Sequence, residues 1–321
     1  MPDVVAVDIG GTHARFAIAE VDENRVVSLG DEIVLSTSEH ASFQTAWTAF
    51  AEHFGQPLPR SAAIAIAGPM REDVIRFTNN SWTIRPSSLA CELGLNSYLL
   101  LNDFEAVAHA VAGADSHHFM HVCGPHGTLP ASGTICVVGP GTGLGVAQLH
   151  RSGPDYRVIP TEGGHIGFAP TDGFFDAMIS DMRSNYGRVS AERVVSGAGL
   201  RRIYRALAGK NDKAVDGLED VELWSLAMSG HDERATAALE RFCEAFGAVA
   251  GDLALAHGAV AVVIAGGLGF RLKDHLPSSL FSRQFENKGR FADVMRSISV
   301  KLIVHPQPGL FGAAAAFAAR G

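Results

Sequence analysis

Two stretches of this chain share one design. Val4-Val5-Ala6-Val7-Asp8-Ile9 is a buried-strand pattern that runs into Gly10-Gly11-Thr12, and Ala14-Arg15-Phe16-Ala17-Ile18-Ala19 continues as a second strand. Gly133-Thr134-Ile135-Cys136-Val137-Val138 likewise runs into Gly139-Pro140-Gly141-Thr142-Gly143-Leu144-Gly145, and Val146-Ala147-Gln148-Leu149 follows. Such a hairpin has few side chains at its tip to obstruct a ligand. Its amide groups and its Thr hydroxyl can therefore meet phosphate oxygens closely. One copy alone is equally an ordinary tight turn, but the pair points to duplicated halves that grip a polyphosphate from opposite sides. Neither copy is a Walker A loop, which needs Gly-x-x-x-x-Gly-Lys-Ser/Thr, and neither fits G-x-G-x-x-G. Asp8 stands where it could hold Mg²⁺ through water, since that ion takes few protein ligands. Arg15 adds positive charge beside it.

Tyr98-Leu99-Leu100-Leu101 is a third apolar run, and it ends in Asn102-Asp103 before a helix-like Glu105-Ala106-Val107-Ala108-His109-Ala110. A strand of this kind opens its polar end at the carboxyl edge of an α/β sheet, where such folds place ligands. There a carboxylate can take a proton from a substrate hydroxyl while the neighbouring amide orients it. Both residue types also favour helix N-caps, and on this octet alone capping is the simpler account.

Thr161-Glu162-Gly163-Gly164-His165 sets a carboxylate and an imidazole three residues apart around two glycines. It lacks the third ligand and helical spacing of a H-E-x-x-H metal site, and it suits a polyhydroxylated ligand instead. Glu192, in Ser190-Ala191-Glu192-Arg193, reads alone as a helix-start or surface carboxylate. Ala259 to Ile264 is a strand that ends in Ala265-Gly266-Gly267-Leu268-Gly269, either a bare edge for a nucleoside or a plain Gly-rich strand-to-helix turn. Helices are expected over 41–54, with Phe43, Ala46, Trp47 and Phe50 inward, and from Glu219 to His257. A last strand over Lys301–His305 and an Ala-rich terminal helix close the chain. Trp82, in the polar loop Thr78-Asn79-Asn80-Ser81-Trp82, is expected to anchor a core. His117, His118, His121 and His126 lack the spacing of a metal site and read as a solvated connector.

Composition limits the partners. The 26 Lys plus Arg against 34 Asp plus Glu give a formal charge of -8 with no dense basic run, which argues against nucleic acid and anionic membranes. Four scattered Cys without a C-x-x-C pair, no signal-peptide pattern and no apolar run of spanning length make a reducing cytoplasm the expected setting.

The segments Asp8-Ile9-Gly10-Gly11-Thr12, Leu101-Asn102-Asp103-Phe104, Gly139 to Gly145, Glu162-Gly163-Gly164-His165, Glu192-Arg193-Val194-Val195-Ser196-Gly197 and Ala265-Gly266-Gly267, taken in this order, resemble the bacterial glucokinases. These are members of the actin-like ATPase-domain superfamily. The resemblance implies two actin-like (ribonuclease H-like) α/β domains, with mixed sheets flanked by helices, around a central cleft. A small domain, 1–112 plus 305–321, would carry the first phosphate hairpin and the catalytic Asp. A large domain, 113–304, would carry the second hairpin, the sugar ligands and the adenosine edge. By the same resemblance Asp103 is the general base on the 6-hydroxyl of glucose, with Asn102, Glu162, His165 and Glu192 as further sugar ligands. Asp8, Ile9, Gly10, Gly11, Thr12, Gly141, Thr142, Gly143, Gly266 and Gly267 would bind ATP, Asp8 would stand near Mg²⁺, and the chain would be a homodimer. His13 departs from the Asn that many relatives carry. A kinase for another hexose or amino sugar is the near alternative. A non-metabolic actin-like ATPase is disfavoured, because it gives no reason for Glu162, His165 and Glu192 together.

Overall fold

The computed structural model describes residues 3–22, 25–68, 73–77, 80–209 and 217–320. Met1, Pro2 and Pro69, and Thr78 and Asn79 of the polar loop, lie outside the described residues. The chain forms two compact units, Met1–Asp115 with His305–Gly321, and Ser116–Val304.

In the first unit, β1 (Asp3–Ile9) pairs antiparallel with β2 (His13–Asp22), which pairs with β3 (Arg25–Leu29) and β4 (Ile33–Ser36). After helix α1 (Phe43–Phe54) comes β5 (Ser61–Ile66), parallel to β1, and a small ribbon of β6 (Ile75–Arg76) and β7 (Thr83–Ile84) follows. Helix α2 (Pro86–Leu93) leads to β8 (Ser97–Asn102), parallel to β5, and then to α3 (Asp103–Gly113). The sheet order is β3-β2-β1-β5-β8. The β1 residues Val4, Val5, Ala6, Val7 and Ile9 are fully buried, as expected of a strand covered on both faces. On α1, Phe43, Ala46, Trp47 and Phe50 face inward as the spacing predicts, and a Ser42–Thr45 capping box starts the helix. Phe43, Trp47 and Phe50 pack on Phe16 with ring centroids at 6.2, 6.5 and 4.9 Å. Trp82 is a core anchor, and its indole N–H donates to the His40 carbonyl at 2.8 Å.

The second unit repeats this plan. Its strands are β9 (Phe119–Cys123), β10 (Ser132–Pro140), β11 (Leu144–Ser152), β12 (Asp155–Thr161), β13 (Ala259–Ile264) and β14 (Ser299–Ile303). They lie in the order β12-β11-β10-β13-β14-β9. Three antiparallel neighbours followed by two parallel ones is the arrangement of both sheets, with β9 added as an antiparallel edge. Its helices are α4 (Gly173–Tyr186), α5 (Ala191–Val194), α6 (Gly197–Ala208), α7 (Asp220–Ser229), α8 (Glu233–His257), α9 (Gly266–Arg271), α10 (Phe281–Glu286) and α11 (Ala292–Arg296). Phe242, Phe246, Val249 and Leu253 of α8 are buried in the core of this unit.

Two expectations are corrected here. The His-rich stretch expected as a connector forms a short turn over Ser116–His118 and then β9, paired antiparallel with β14. Its strand pattern is hidden in sequence because imidazoles interrupt Phe119, Met120 and Val122. Pairing with Leu302 and Ile303 of β14 supplies the order that local pattern does not show. The last strand runs Ser299–Ile303 rather than 301–305, and the Val304 amide turns to donate to the His118 carbonyl at 2.7 Å.

The final helix, α12 (Pro308–Ala318), returns to the first unit. Leu310, Ala313 and Ala314 pack with Val4, Ala6, Ala63, Ala65, Leu101 and Ala106. Its small residues let it lie close on α3 and the sheet.

Candidate active site

Strand register places the first group of candidate residues. Across β1–β5 Ile9 is opposite Ile66, and across β5–β8 Ile66 is opposite Asn102. The carboxyl ends of β1 and β8 are thus level, two strands or about 10 Å apart at normal sheet spacing. The Gly10–Thr12 turn leaves one end, and Asn102 and Asp103 leave the other.

That turn is tied down through its carbonyls. Asn80 Nδ2 donates to the Gly10 carbonyl at 3.3 Å, and the Thr37 hydroxyl and amide donate to Gly11 and Thr12 carbonyls, each at 3.0 Å. The Gly10 amide closes the hairpin on the His13 carbonyl. Among the described residues the Gly11 and Thr12 amides have no acceptor, so the turn offers donors to an anion. The Thr12 hydroxyl and His13 Nδ1 lie 2.9 Å apart.

Burial raises the Asp8 pKa above the usual carboxylate range, and the Arg15 guanidinium, 3.4 Å away, pulls it part of the way back. Arg15 also approaches Glu32 at 3.9 Å. Its charge is therefore directed to these carboxylates rather than left for phosphate. Gly309, at the start of α12, sits so close that a Cβ there would lie 2.5 Å from Asp8 Oδ2.

Asn102 is the N-cap of α3, and its Oδ1 accepts from the Phe104 amide at 2.9 Å and the Glu105 amide at 3.3 Å. The Glu105 carboxylate accepts in return from the Asn102 amide at 3.2 Å. Capping and ligand binding do not compete here: the cap uses the side-chain oxygen, while Nδ2 donates one N–H to the Gly68 carbonyl at 3.5 Å and has a second N–H to offer. Asp103 is the first helical residue, and its Oδ1 accepts from the Phe104 amide at 2.8 Å. Its carboxylate thus stands at the N-terminal end of α3.

The second unit gathers the remaining candidates around Leu144, the first residue of β11. Glu192 Oε2 accepts the Leu144 amide at 3.0 Å. The Thr161 hydroxyl donates to the Val146 carbonyl at 3.0 Å and accepts from the Gly163 amide at 3.2 Å, which fixes the turn bearing Glu162 and His165 beside β11. Glu162 and His165 approach each other at 3.8 Å, with side chains 76% and 57% exposed, so both are open to a ligand. The chain then passes alongside 189–191, where the Ala191 amide donates to the Ile166 carbonyl at 2.8 Å, and this brings Glu192 to the same place. Gly141 bonds across its own turn to the Gly143 carbonyl at 2.8 Å. Gly266 and Gly267 open α9 as a strand-to-helix turn. Gly266 takes a φ of 80°, and the preceding Ala265 amide donates to Val138 of β10 at 2.9 Å.

A family model for glucokinase matches residues 5–320. The chain belongs to the glucokinase family. It is 55% identical over 316 residues to a glucokinase of Zymomonas mobilis, with 98% of each chain covered. A glucokinase crystal structure from an Antarctic psychrotroph superposes with a TM-score of 0.83 at 31% identity, again covering 98% of each chain. A glucokinase of Streptomyces griseus, solved with glucose and AMPPNP, shares the fold with a TM-score of 0.62 at 21% identity, covering 99% of this chain and all of that one. The paired sheets of this glucokinase-family chain, flanked by helices, are thus the actin-like arrangement of hexokinase-type kinases.

Sequence reasoning missed the residues that hold the site in shape: Thr37, Asn80, Gly309 and the Leu144 amide. Thr37 carried no signal, because a Thr after a strand is unremarkable until its contacts are known. Asn80 lies in a polar loop whose residue types alone assign it no partner. Among the described residues, no group of three or more His, Cys, Asp or Glu side chains is placed to hold a metal ion, and no helix is long and apolar enough to cross a membrane.

Proposed function

We propose that this chain phosphorylates glucose at its 6-hydroxyl, with ATP as donor and Asp103 as general base. The observation that carries this reading is Asp103 at the first turn of α3, level with the donor-rich Gly10–Thr12 turn, in a chain of the glucokinase family. Asp103 accepts the hydroxyl proton as the 6-oxygen attacks the γ-phosphorus; a new P–O bond forms, the bond to the β,γ-bridging oxygen breaks, and ADP leaves. Asn102 donates its NH₂ to a hydroxyl, and Glu162, Glu192 and His165 bind the others. Amides of Gly11 and Thr12, with those of Thr142 and Gly143, take the phosphate oxygens; Gly141, whose amide closes its own turn, faces the phosphates without donating to them, and Ile9 supports the first turn. Gly266 and Gly267 supply the adenosine edge. Catalysis here comes from positioning and charge stabilisation.

Asp8 suits a Mg²⁺ that keeps most of its water: a part-buried carboxylate, one oxygen of which is paired with Arg15, beside the Gly10–Thr12 turn, where the absence of a side chain on Gly309 keeps its Oδ2 from being covered. The ion would neutralise charge on the transferring phosphate. The small and large domains proposed for the two roles are 1–112 with 305–321, and 113–304. A homodimer in the cytoplasm completes the proposal, and four free cysteines suit a reducing compartment.

The test is ADP release by purified protein with MgATP and a panel of hexoses. Turnover with glucose well above mannose, fructose and N-acetylated amino sugars supports the reading. Preference for another hexose replaces the substrate, and ADP release independent of sugar overturns the kinase assignment.

A further inference from the structure

Glu192 touches the second Gly-Thr turn as well as standing among the sugar ligands. Its Oε2 accepts the amide of Leu144, the residue directly after the turn's tip, at 3.0 Å. A Cβ built on Gly143 would overlap that same oxygen. The other end of the tip is held by the same segment of chain: the Gly141 carbonyl accepts from the Gly197 amide at 2.8 Å, just beyond α5. The segment that carries Glu192 therefore grips the tip on both sides, by a carboxylate at Leu144 and by backbone at Gly141. It is also tied to the Glu162–His165 turn through Ala191 and the Gly167–Ser190 bridge. Among the described residues Oε1 of Glu192 has no hydrogen-bond partner, which leaves it for a hydroxyl.

We propose that Glu192 is a positioning residue for the nucleotide-phosphate turn, so that one carboxylate couples the sugar and phosphate subsites of this unit. The proposal rests on the glucokinase reading above. A charge-assisted bond to an amide is among the stronger ones available to a turn, so its loss lets the tip move. Coupling of this kind is reciprocal: glucose changes nucleotide affinity by the same factor as nucleotide changes glucose affinity.

The experiment is calorimetric binding of AMPPNP without sugar and of glucose without nucleotide, on wild type, Glu192→Gln, Glu192→Ala and Gly143→Ala. Glu192→Ala is expected to weaken AMPPNP binding by about tenfold, the scale of one lost charge-assisted hydrogen bond. Glu192→Gln keeps an acceptor for Leu144 and should hold AMPPNP affinity within about twofold while weakening glucose, which separates the two roles. Gly143→Ala displaces the carboxylate from the other side, and it should weaken glucose although it belongs to the phosphate turn. Wild-type AMPPNP affinity in Glu192→Ala, or wild-type glucose affinity in Gly143→Ala, overturns the proposal. Hydrogen exchange at the Leu144 amide separates its failure from failure of the kinase reading. Slow exchange in wild type and Glu192→Gln with fast exchange in Glu192→Ala supports the grip even in a protein that binds no glucose. Equal exchange in all three overturns the grip whatever the substrate.

Discussion

Asn102 serves two purposes with the two ends of one amide. Its oxygen caps α3 through Phe104 and Glu105, while its NH₂ donates one N–H to the Gly68 carbonyl and has the other to offer a substrate hydroxyl. Serine caps a helix about as well but has no amide donor. Asn102→Ser should therefore melt within a degree or two of wild type, about the spread expected between good caps, while its KM for glucose rises. Asn102→Ala should lose the cap as well, at about 1 kcal/mol of stability. A matching melting temperature and an unchanged KM in Asn102→Ser would remove the amide from the sugar site. Capping was the simpler account of this octet from residue types alone, and it holds for Asn102. What the octet could not reveal is that one side chain has room for both tasks, because that depends on which atom the helix uses.

At the scale of elements, α3 and α12 are held together by small residues. A Cβ on Gly312 of α12 would overlap the Ala106 carbonyl of α3, which is backbone and cannot rotate away. Gly312→Ala should cost roughly 1–3 kcal/mol by overpacking, despite the better helix propensity of alanine, and thermal unfolding would read it. Full stability in that variant would mean the two helices shift apart freely. The same helix α3 carries His109, whose pKa burial pulls down from 6.5 to about 4. The sign follows from the unfolded chain, which takes up this proton near pH 6.5 while the folded chain refuses it until near pH 4. Stability from this residue is thus complete above pH 6.5 and lost as pH falls toward 4. His109→Gln should unfold with a shallower pH dependence across that window, and equal slopes would contradict the burial account. The helices over 43–54 and 233–257 were legible because their apolar spacing is long and regular. The edge strand β9 was not, because its order comes from β14 rather than from its own residues.

On the scale of the whole molecule, the repeated hairpin in the sequence corresponds to a repeated sheet. Both units have the order of three antiparallel neighbours and two parallel ones, and each places its Gly-Thr turn after the first strand of the set. This much was legible because buried parallel strands read as unbroken apolar runs and the turns are marked by glycine. The supports of the site were not, since Thr37, Asn80 and Gly309 reach their partners only through tertiary contacts. A homodimer would sediment at about twice the chain mass of 33.9 kDa, and a species at 33.9 kDa alone would refute it. The central claim, that Asp103 draws the proton from a sugar hydroxyl, is tested most directly by glucose-dependent ADP release in wild type and Asp103→Asn. The account predicts glucose-dependent turnover in wild type and a loss of at least about a hundredfold in kcat in the variant, the usual weight of a general base, with glucose still bound. Near-wild-type turnover by Asp103→Asn would contradict it.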